Sequence, residues 1–200
     1  MAFTYFFRDL QTLDLITKHV LPVFQGARYI NIWDAGCAHG PEPYSLAIML
    51  REKMSHFLFR NVNIHATDVD GSDLFGKIIA EGVYPEGEIE RIPAEIRNKY
   101  FSKNGKPGHY VLSDEIRARV SFAKHDLLSL KPIRDGFSLV MCKNVLLHFN
   151  EEERGRVIQM FHDALQEGGF MVMEQTQKLP EKCNGLFQQV TSDGQVFRKK

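Results

Sequence analysis

The chain has 200 residues and a mass of 23.0 kDa; 44% of its residues are hydrophobic, and its 25 basic residues are balanced by 25 acidic ones. These values are typical of one soluble globular domain that needs no disulfide or metal to build its core. Zero net charge argues against nucleic-acid binding, charges within the first 20 residues argue against a signal peptide, and no apolar run reaches the ~18 residues of a membrane span. Three widely spaced cysteines without a CxxC pair fit a reducing compartment, the cytoplasm.

The spacing of apolar residues predicts alternating helices and strands along the first 81 residues. In chain order we expect a helix at 9–24, a strand at 29–36, a helix at 41–54, a strand at 61–68 and a helix at 71–81. A small insertion of helix and β-hairpin is expected at 85–119, with the hairpin formed by KNGKPGHYVL and RARVSF.

The remaining segments return to the alternating pattern. We expect strands at 120–127, 137–144 and 170–176, a helix at 151–166, and an antiparallel pair of short strands at 186–190 and 195–199. This order predicts one doubly wound α/β domain over residues 1–200, with a mostly parallel, Rossmann-like sheet.

The glycine turn after the first strand, DAGCAHGPEPYS at 34–45, is the first candidate binding element. Gly36 and Gly40 allow a sharp turn and close approach of a ligand, and open parallel sheets bind ligands at the carboxyl ends of their strands. Glu42, in the first turn of the next helix, would repel a phosphate but could accept a hydrogen bond from an ammonium group. This favours a phosphate-free nucleoside such as S-adenosylmethionine over a nicotinamide dinucleotide. The alternative is that Glu42 only complements the helix dipole.

Acidic residues also end later strands. Asp68 could accept hydrogen bonds from both hydroxyls of a ribose, whereas Asp70 fits better as an N-cap of the next helix. Asp126 could accept from the amine of adenine, or it is a solvated loop residue. Three acids near successive strand ends indicate a cofactor site. Cys37 and His39 lack further partners at ligand spacing, so we expect no metal.

Five segments resemble, in order and spacing, the CheR family of chemotaxis receptor methyltransferases. They are TYFFRD at 4–9, GCAHGPEPYSLA at 36–47, ATDVD at 66–70, HDLL at 125–128 and CKNVLLHF at 142–149. The resemblance covers nearly the whole chain. It implies a class I methyltransferase fold that binds S-adenosylmethionine, methylates receptor glutamates to γ-methyl esters and leaves S-adenosylhomocysteine.

The resemblance also implies roles for single residues. Arg8 and His148 would lie at the reacting groups, with His148 where the family has tyrosine beside the transferring methyl. The cofactor would be held by Thr4, Arg8, Gly36, Glu42, Asp68, Asp126, Leu127, Lys143 and Asn144.

Three features depart from the family's pattern. Lys143 replaces the usual arginine and so loses a bidentate fork, and His148 replaces the usual tyrosine. The chain also begins almost at the TYFFRD segment, so we expect it to lack the family's helical N-terminal domain, which leaves the receptor substrate open.

The identity of the acceptor decides what the site must supply. A glutamate acceptor is ionised at pH 7 and needs no general base, so Arg8 or Lys143 would position it. An amine or hydroxyl acceptor would need a base, for which His148 is the candidate unless it only packs or caps the following helix. We therefore predict a monomeric, cytoplasmic protein-glutamate methyltransferase whose protein substrate resembles a methyl-accepting chemotaxis receptor. The alternatives are a methyltransferase for another nucleophile and a cofactor-sensing module without turnover.

Overall fold

The computed structural model describes residues 4–200, and two β-sheets organise this part of the chain. Its strands are β1 (Ile30–Ala35), β2 (Val62–Asp68), β3 (Val83–Pro85), β4 (Phe101–Lys103), β5 (His109–Leu112), β6 (Val120–Lys124), β7 (Phe137–Cys142), β8 (Leu165–Met173), β9 (Phe187–Gln189) and β10 (Val196–Lys199). Its α-helices are α1 (Leu10–Leu15), α2 (Pro41–Lys53), α3 (His56–Phe59), α4 (Phe75–Glu81), α5 (Glu86–Ile89), α6 (Ala94–Tyr100), α7 (Asp114–Arg117) and α8 (Glu151–Ala164).

The main sheet of the described residues has seven strands in the order β6-β2-β1-β7-β8-β10-β9. The first five run parallel, β10 is antiparallel to β8, and β9 is antiparallel to β10. The chain adds β2 and β6 on one side of β1 and later returns to add β7 on the other. This places a topological switch point between β1 and β7, where doubly wound sheets bind ligands. The predicted α/β fold with an antiparallel C-terminal pair is confirmed.

Buried side chains on both faces of the sheet explain why its central strands are nearly all apolar. Successive strand residues point to opposite faces, so Ile30 and Ile32 of β1 join the hydrophobic cluster that contains α2. Trp33 and Ala35 join the opposite cluster, which contains the apolar face of α8. The sheet therefore lies between two helical layers, and its carboxyl edge is fixed from both sides.

Strand β8 starts five residues before the predicted strand at 170–176. The pairing of β8 with β7 shifts between Phe137, which lies opposite Leu165, and Leu139, which lies opposite Phe170. The extra residues on β8 include Gly168, whose φ of 69° suits a bulge. A glycine pair that sequence reasoning placed before the strand is therefore part of it.

A second sheet has three antiparallel strands in the order β3-β5-β4; β4 and β5 lie in the segment 85–119 expected to be an insertion, whereas β3 starts before it, at Val83. Its hairpin pairs β4 with β5, whereas the sequence analysis paired KNGKPGHYVL with RARVSF. Val120 and Phe122 of that second segment instead belong to the edge strand β6, which is parallel to β2 and lies within the strand predicted at 120–127. Val120 and Phe122 pack against the main apolar cluster there, which favours this position over a solvated hairpin. The assignment of 1–200 as one domain with an insertion at 85–119 stays a prediction.

The N-terminal segment is helical, as predicted for 9–24, but it changes type along its length. Helix α1 continues into a π-helical turn at Ile16–Val20 and a 3-10 turn at Leu21–Phe24 that contains Pro22. Ahead of it, the ring of Phe6 packs edge-on against Tyr84 of β3 and Phe101 of β4, with centroids 4.9 and 5.4 Å away. In residues 4–200 no helix is both long and apolar enough to span a lipid bilayer.

Candidate functional site

A cavity of about 570 Å³ opens at the carboxyl ends of β1, β2 and β7. The structure brings together in its wall every residue that the sequence analysis assigned to the site, namely Thr4, Arg8, Gly36, Glu42, Asp68, Asp126, Leu127, Lys143, Asn144 and His148. The wall also contains residues that sequence reasoning did not single out, namely Ala38, Thr67, Val69, His125, Val145, Leu147 and Phe149.

The glycine turn forms the floor of the cavity because β2 holds it in place. The amide of Gly36 donates to the carbonyl of Thr67 at 2.7 Å, and the amide of Ala38 donates to the Asp68 carboxylate at 3.0 Å. Gly36 has a φ of 99°, and a Cβ there would overlap the side chain of Val145. Only glycine combines this conformation with so close an approach of the opposite wall.

Asp68 and Asp70 have different roles. The carboxylate of Asp70 accepts from the amides of Leu74 and Phe75, at 3.2 and 3.0 Å, at the start of α4. The N-cap residue of α4 is Leu74, so the prediction that Asp70 itself is the N-cap is wrong. Asp68 accepts from the amides of Ala38 and Asp70. A carboxylate has about four acceptor positions, so two protein amides leave Asp68 with capacity for a ligand.

Lys143 lies inside the protein, and its charge is compensated there. Its side chain is fully buried, with Nζ 3.3 Å from Glu42 Oε2 and 3.7 Å from Asp9 Oδ2. Nζ also donates to the backbone carbonyl of Arg8 at 3.4 Å. The ammonium group therefore ties the TYFFRD segment to the first turn of α2. Asp9 was missed by sequence reasoning.

Three oxygens of two buried carboxyl groups beside this lysine accept from no donor within residues 4–200. They are both oxygens of Asp34, whose side chain is completely buried, and Oε1 of Glu42. Burial, followed by the nearby charge of Glu42, raises the pKa of Asp34 well above its ordinary value of 3.8. The sequence carried a signal for Asp34, since it is the one acid in the otherwise apolar or neutral strand INIWDA.

The opposite wall is shaped by the junction between β7 and α8. Arg8 Nη2 donates to Asn144 Oδ1 at 3.2 Å. Asn144 adopts a left-handed conformation, φ 58°, and its amide donates to the buried carboxylate of Glu174 at 3.1 Å. Across the cavity, the amide of Phe7 donates to Ser45 Oγ at 2.8 Å. These bonds hold the segment that carries Arg8 against both α2 and the end of β7.

The far end of the cavity contains both polar and apolar groups. Asp126 is exposed and accepts from the amide of Leu128 at 2.9 Å, whereas Leu127 is buried. His148 is exposed on the short turn Leu146–His148. It does not cap α8, since Asn150 does so through a capping box with Glu153. The alternative that His148 serves as a helix cap is therefore wrong.

The glycine turn also contains Cys37 and His39, which the sequence analysis weighed as metal ligands. His39 Nε2 instead lies 3.0 Å from Glu88 Oε2, and burial raises the pKa of the Cys37 thiol. The part of the chain that the structure describes contains no group of three or more His, Cys, Asp or Glu side chains suited to a metal ion.

Comparison with known proteins identifies the family. The family profile described as "CheR methyltransferase, SAM binding domain" matches residues 2–196. The chain is 32% identical over 178 residues to a chemotaxis protein methyltransferase of Borreliella burgdorferi, covering 85% of this chain and 62% of that protein. It is 33% identical over 168 residues to a chemotaxis protein methyltransferase of Listeria innocua, covering 83% of this chain and 61% of that protein.

The chain thus spans about three fifths of the length of these relatives. Among solved structures, a TehB-like SAM-dependent methyltransferase from Corynebacterium glutamicum aligns with a TM-score of 0.52 and 14% identity, covering 94% of this chain and 87% of that one. This likeness shows the class I methyltransferase fold. With the family profile matching almost its whole length, the chain belongs to the CheR methyltransferase family and comprises that family's SAM-binding domain.

Proposed function

We propose that the protein transfers a methyl group from S-adenosylmethionine to glutamate carboxylates of a chemotaxis-receptor-like protein. One observation carries this proposal: a cavity at the switch point in which carboxylates outnumber cations. The acids in or behind its wall are Asp9, Asp34, Glu42, Asp68, Asp126 and Glu174, and the cations are Arg8 and Lys143.

This charge balance suits S-adenosylmethionine, which carries a sulfonium and an ammonium against one carboxylate. The buried and unpartnered Oε1 of Glu42 is an acceptor for the ammonium group, because leaving it without a donor is costly. We assign Asp68 to the ribose and Asp126 with Leu127 to the adenine. The sulfonium supplies an activated methyl group, and the protein has to hold it in line with the acceptor and exclude water.

Arg8 is our candidate for positioning the acceptor carboxylate. Its guanidinium lies in the cavity wall and is oriented by the bond to Asn144. Lys143 is less suited to this role because its ammonium group is already within 4 Å of Glu42 and Asp9. A glutamate acceptor is ionised at neutral pH and needs no proton removed, so His148 at the exposed rim would contact the acceptor without acting as a base.

The receptor-like acceptor is inferred from the relatives, which are chemotaxis protein methyltransferases. We also propose a cytoplasmic location, supported by three cysteines that are free and buried in the described structure. A monomeric state stays a prediction.

Methyl incorporation into a purified cytoplasmic fragment of a chemotaxis receptor tests the function. With methyl-labelled S-adenosylmethionine, we expect label in the fragment that mild alkali releases, because methyl esters hydrolyse under these conditions. A fragment with its acceptor glutamates replaced by aspartate, one methylene shorter, is the matched control and should stay unlabelled. Label that survives alkali would point to an amine acceptor and to His148 as its base. Cofactor binding without transfer to any glutamate would favour a sensing module.

A further inference from the structure

We propose that Asp34 is a positioning residue that holds a proton in the free protein and releases it when the ammonium group of the cofactor binds against Glu42. The inference rests on the proposed function, since it requires a cationic cofactor in the cavity. Asp34 does not line the cavity, so it would affect the cofactor only through Glu42.

The first support is the isolation of Asp34. It is the second-last residue of the central strand β1, its side chain is completely buried, and neither carboxyl oxygen accepts from a donor in the described part of the chain; its hydrogen-bonding neighbour is the Glu42 carboxyl group. An ionised carboxylate without a single donor is among the most costly groups to bury. A protonated carboxyl group avoids most of that cost and needs only an acceptor for its O–H.

The second support is the charge of its surroundings. The acids that act on Asp34 are Glu42 on α2 and Asp68 at the end of β2, and both disfavour its ionisation. Lys143 is the one cation among the groups that shift Asp34. It lies closer to Glu42, at 3.3 Å, and it is shared with Asp9. One ammonium group therefore cannot compensate all three carboxylates of Asp9, Asp34 and Glu42.

The other titratable groups packed around Asp34 do not supply the missing charge. Cys37 follows the same strand and Cys142 ends β7, and burial raises the pKa of both thiols, which keeps them neutral. Glu174, the residue after β8, is one more buried acid, and its carboxylate accepts from the amide of Asn144. In the free protein the cluster is therefore short of positive charge, and a proton on Asp34 corrects this.

An ammonium group bound at Oε1 of Glu42 changes the net charge around Asp34. It adds a positive charge beside the carboxyl group, so that the ionised form of Asp34 is no longer disfavoured. The O–H bond of Asp34 breaks, its electron pair stays on the carboxylate, and the proton passes to solvent. Because binding then releases a proton, affinity rises with pH by up to about tenfold per unit within the range where release occurs.

Isothermal titration calorimetry with S-adenosylhomocysteine, which keeps the ammonium group and cannot react, tests the inference. Titrations in buffers of different ionisation enthalpy, repeated over a series of pH values above 3.8, count the protons released. For the wild type we expect release approaching one proton per ligand in part of this series. Asp34→Asn, which has nearly the same shape but cannot ionise, should bind with a release that is smaller than that of the wild type by the proton assigned to Asp34. Asp70→Asn is the matched control, a buried acid that is not among the groups acting on Asp34, and should retain the wild-type release.

Each outcome tests either the role of Asp34 or the proposed function. Equal proton release by the wild type and Asp34→Asn, or no release by the wild type, would overturn the role of Asp34 while leaving cofactor binding intact. Failure of the wild type to bind S-adenosylhomocysteine would overturn the proposed function itself. If Asp34→Asn does not fold, as judged by its circular dichroism, Asp34→Ala provides the same comparison.

Discussion

Replacing Gly36 by alanine tests whether the floor of the cavity is as constrained as its geometry indicates. Gly36 has a φ of 99°, and an added Cβ would overlap Cγ2 of Val145 and lie 3.3 Å from its Cβ. Val145 is β-branched, so its side chain has few ways to turn aside. Two costs therefore arise: a left-handed conformation for an L-residue and a clash between opposite walls of the cavity.

The two energetic costs of Gly36→Ala can be given separately. The backbone conformation costs about 1–2 kcal/mol, and overpacking against a constrained neighbour costs about 1–3 kcal/mol. Gly36→Ala should thus lower the free energy of unfolding by about 2–5 kcal/mol, a large part of the ~5–15 kcal/mol available to a typical domain. Adding Val145→Ala removes the clash but not the backbone cost, so the double variant should be more stable than additivity predicts by about 1–3 kcal/mol.

Urea unfolding followed by far-ultraviolet circular dichroism measures these differences. Gly155→Ala is the matched control, because its Cβ would meet only the end of the exposed Lys182 side chain. That flexible side chain can move away, and alanine is favoured over glycine within a helix by about 1 kcal/mol. A Gly36→Ala protein as stable as the wild type, or a double variant that is merely additive, would refute the reasoning.

Four further changes probe the site and its charges. Asp68→Ala should weaken S-adenosylhomocysteine binding by ~1.5–3 kcal/mol in calorimetry, and Asp68→Asn by less because its amide oxygen still accepts; an unchanged Kd would remove Asp68 from the site. Arg8→Ala should lower the methyl-transfer rate by about 10²-fold with a smaller change in cofactor Kd, and equal losses would contradict a role in orienting the acceptor. His148→Asn should lower that rate by less than about tenfold, since a loss of ~10²–10⁴ is typical of a removed general base. Because the pKa of Asp34 is raised in the folded protein, its stabilising contribution is complete below pH 3.8 and is lost as pH rises toward the folded-state pKa. Urea unfolding at pH 4.5 and at pH 7 should show this loss as a lower free energy of unfolding at the higher pH. Asp34→Asn should not show the same loss.

Much of the fold follows from local patterns in the sequence. Buried apolar residues dominate the central strands β1 and β7, and turn or capping residues mark where most of the helices begin, as at Gly40 before α2 and Asn150 before α8. What local patterns did not predict depends on tertiary pairing. The sequence predicts a strand at 120–127 but not its neighbours; pairing with β2 places Val120–Lys124 at the edge of the main sheet. The early start of β8 depends in the same way on a bulge opposite Phe137.

The sequence predicts those residues of the candidate site that end, or directly follow, a parallel strand. Gly36, Asp68 and Asn144 all follow or end parallel strands, and such ends meet at one edge of a sheet. The partners of Lys143 were not predictable in this way. Asp9 comes from a segment 134 positions earlier in the chain, and its approach to within 3.7 Å depends on how the TYFFRD segment crosses the sheet edge. The roles proposed for these residues stay predictions until the variants are measured.

The chain's single tryptophan, Trp33, donates its indole N–H to Thr67 Oγ1 at 2.8 Å, and its ring packs edge-on to His125, with centroids 5.5 Å apart. Thr67 and His125 both line the cavity. A ligand that displaces either side chain alters the electrostatic environment of the indole, and therefore its fluorescence emission. Trp33 fluorescence is therefore expected to report occupancy of the cavity, which would allow nucleosides to be screened without a label.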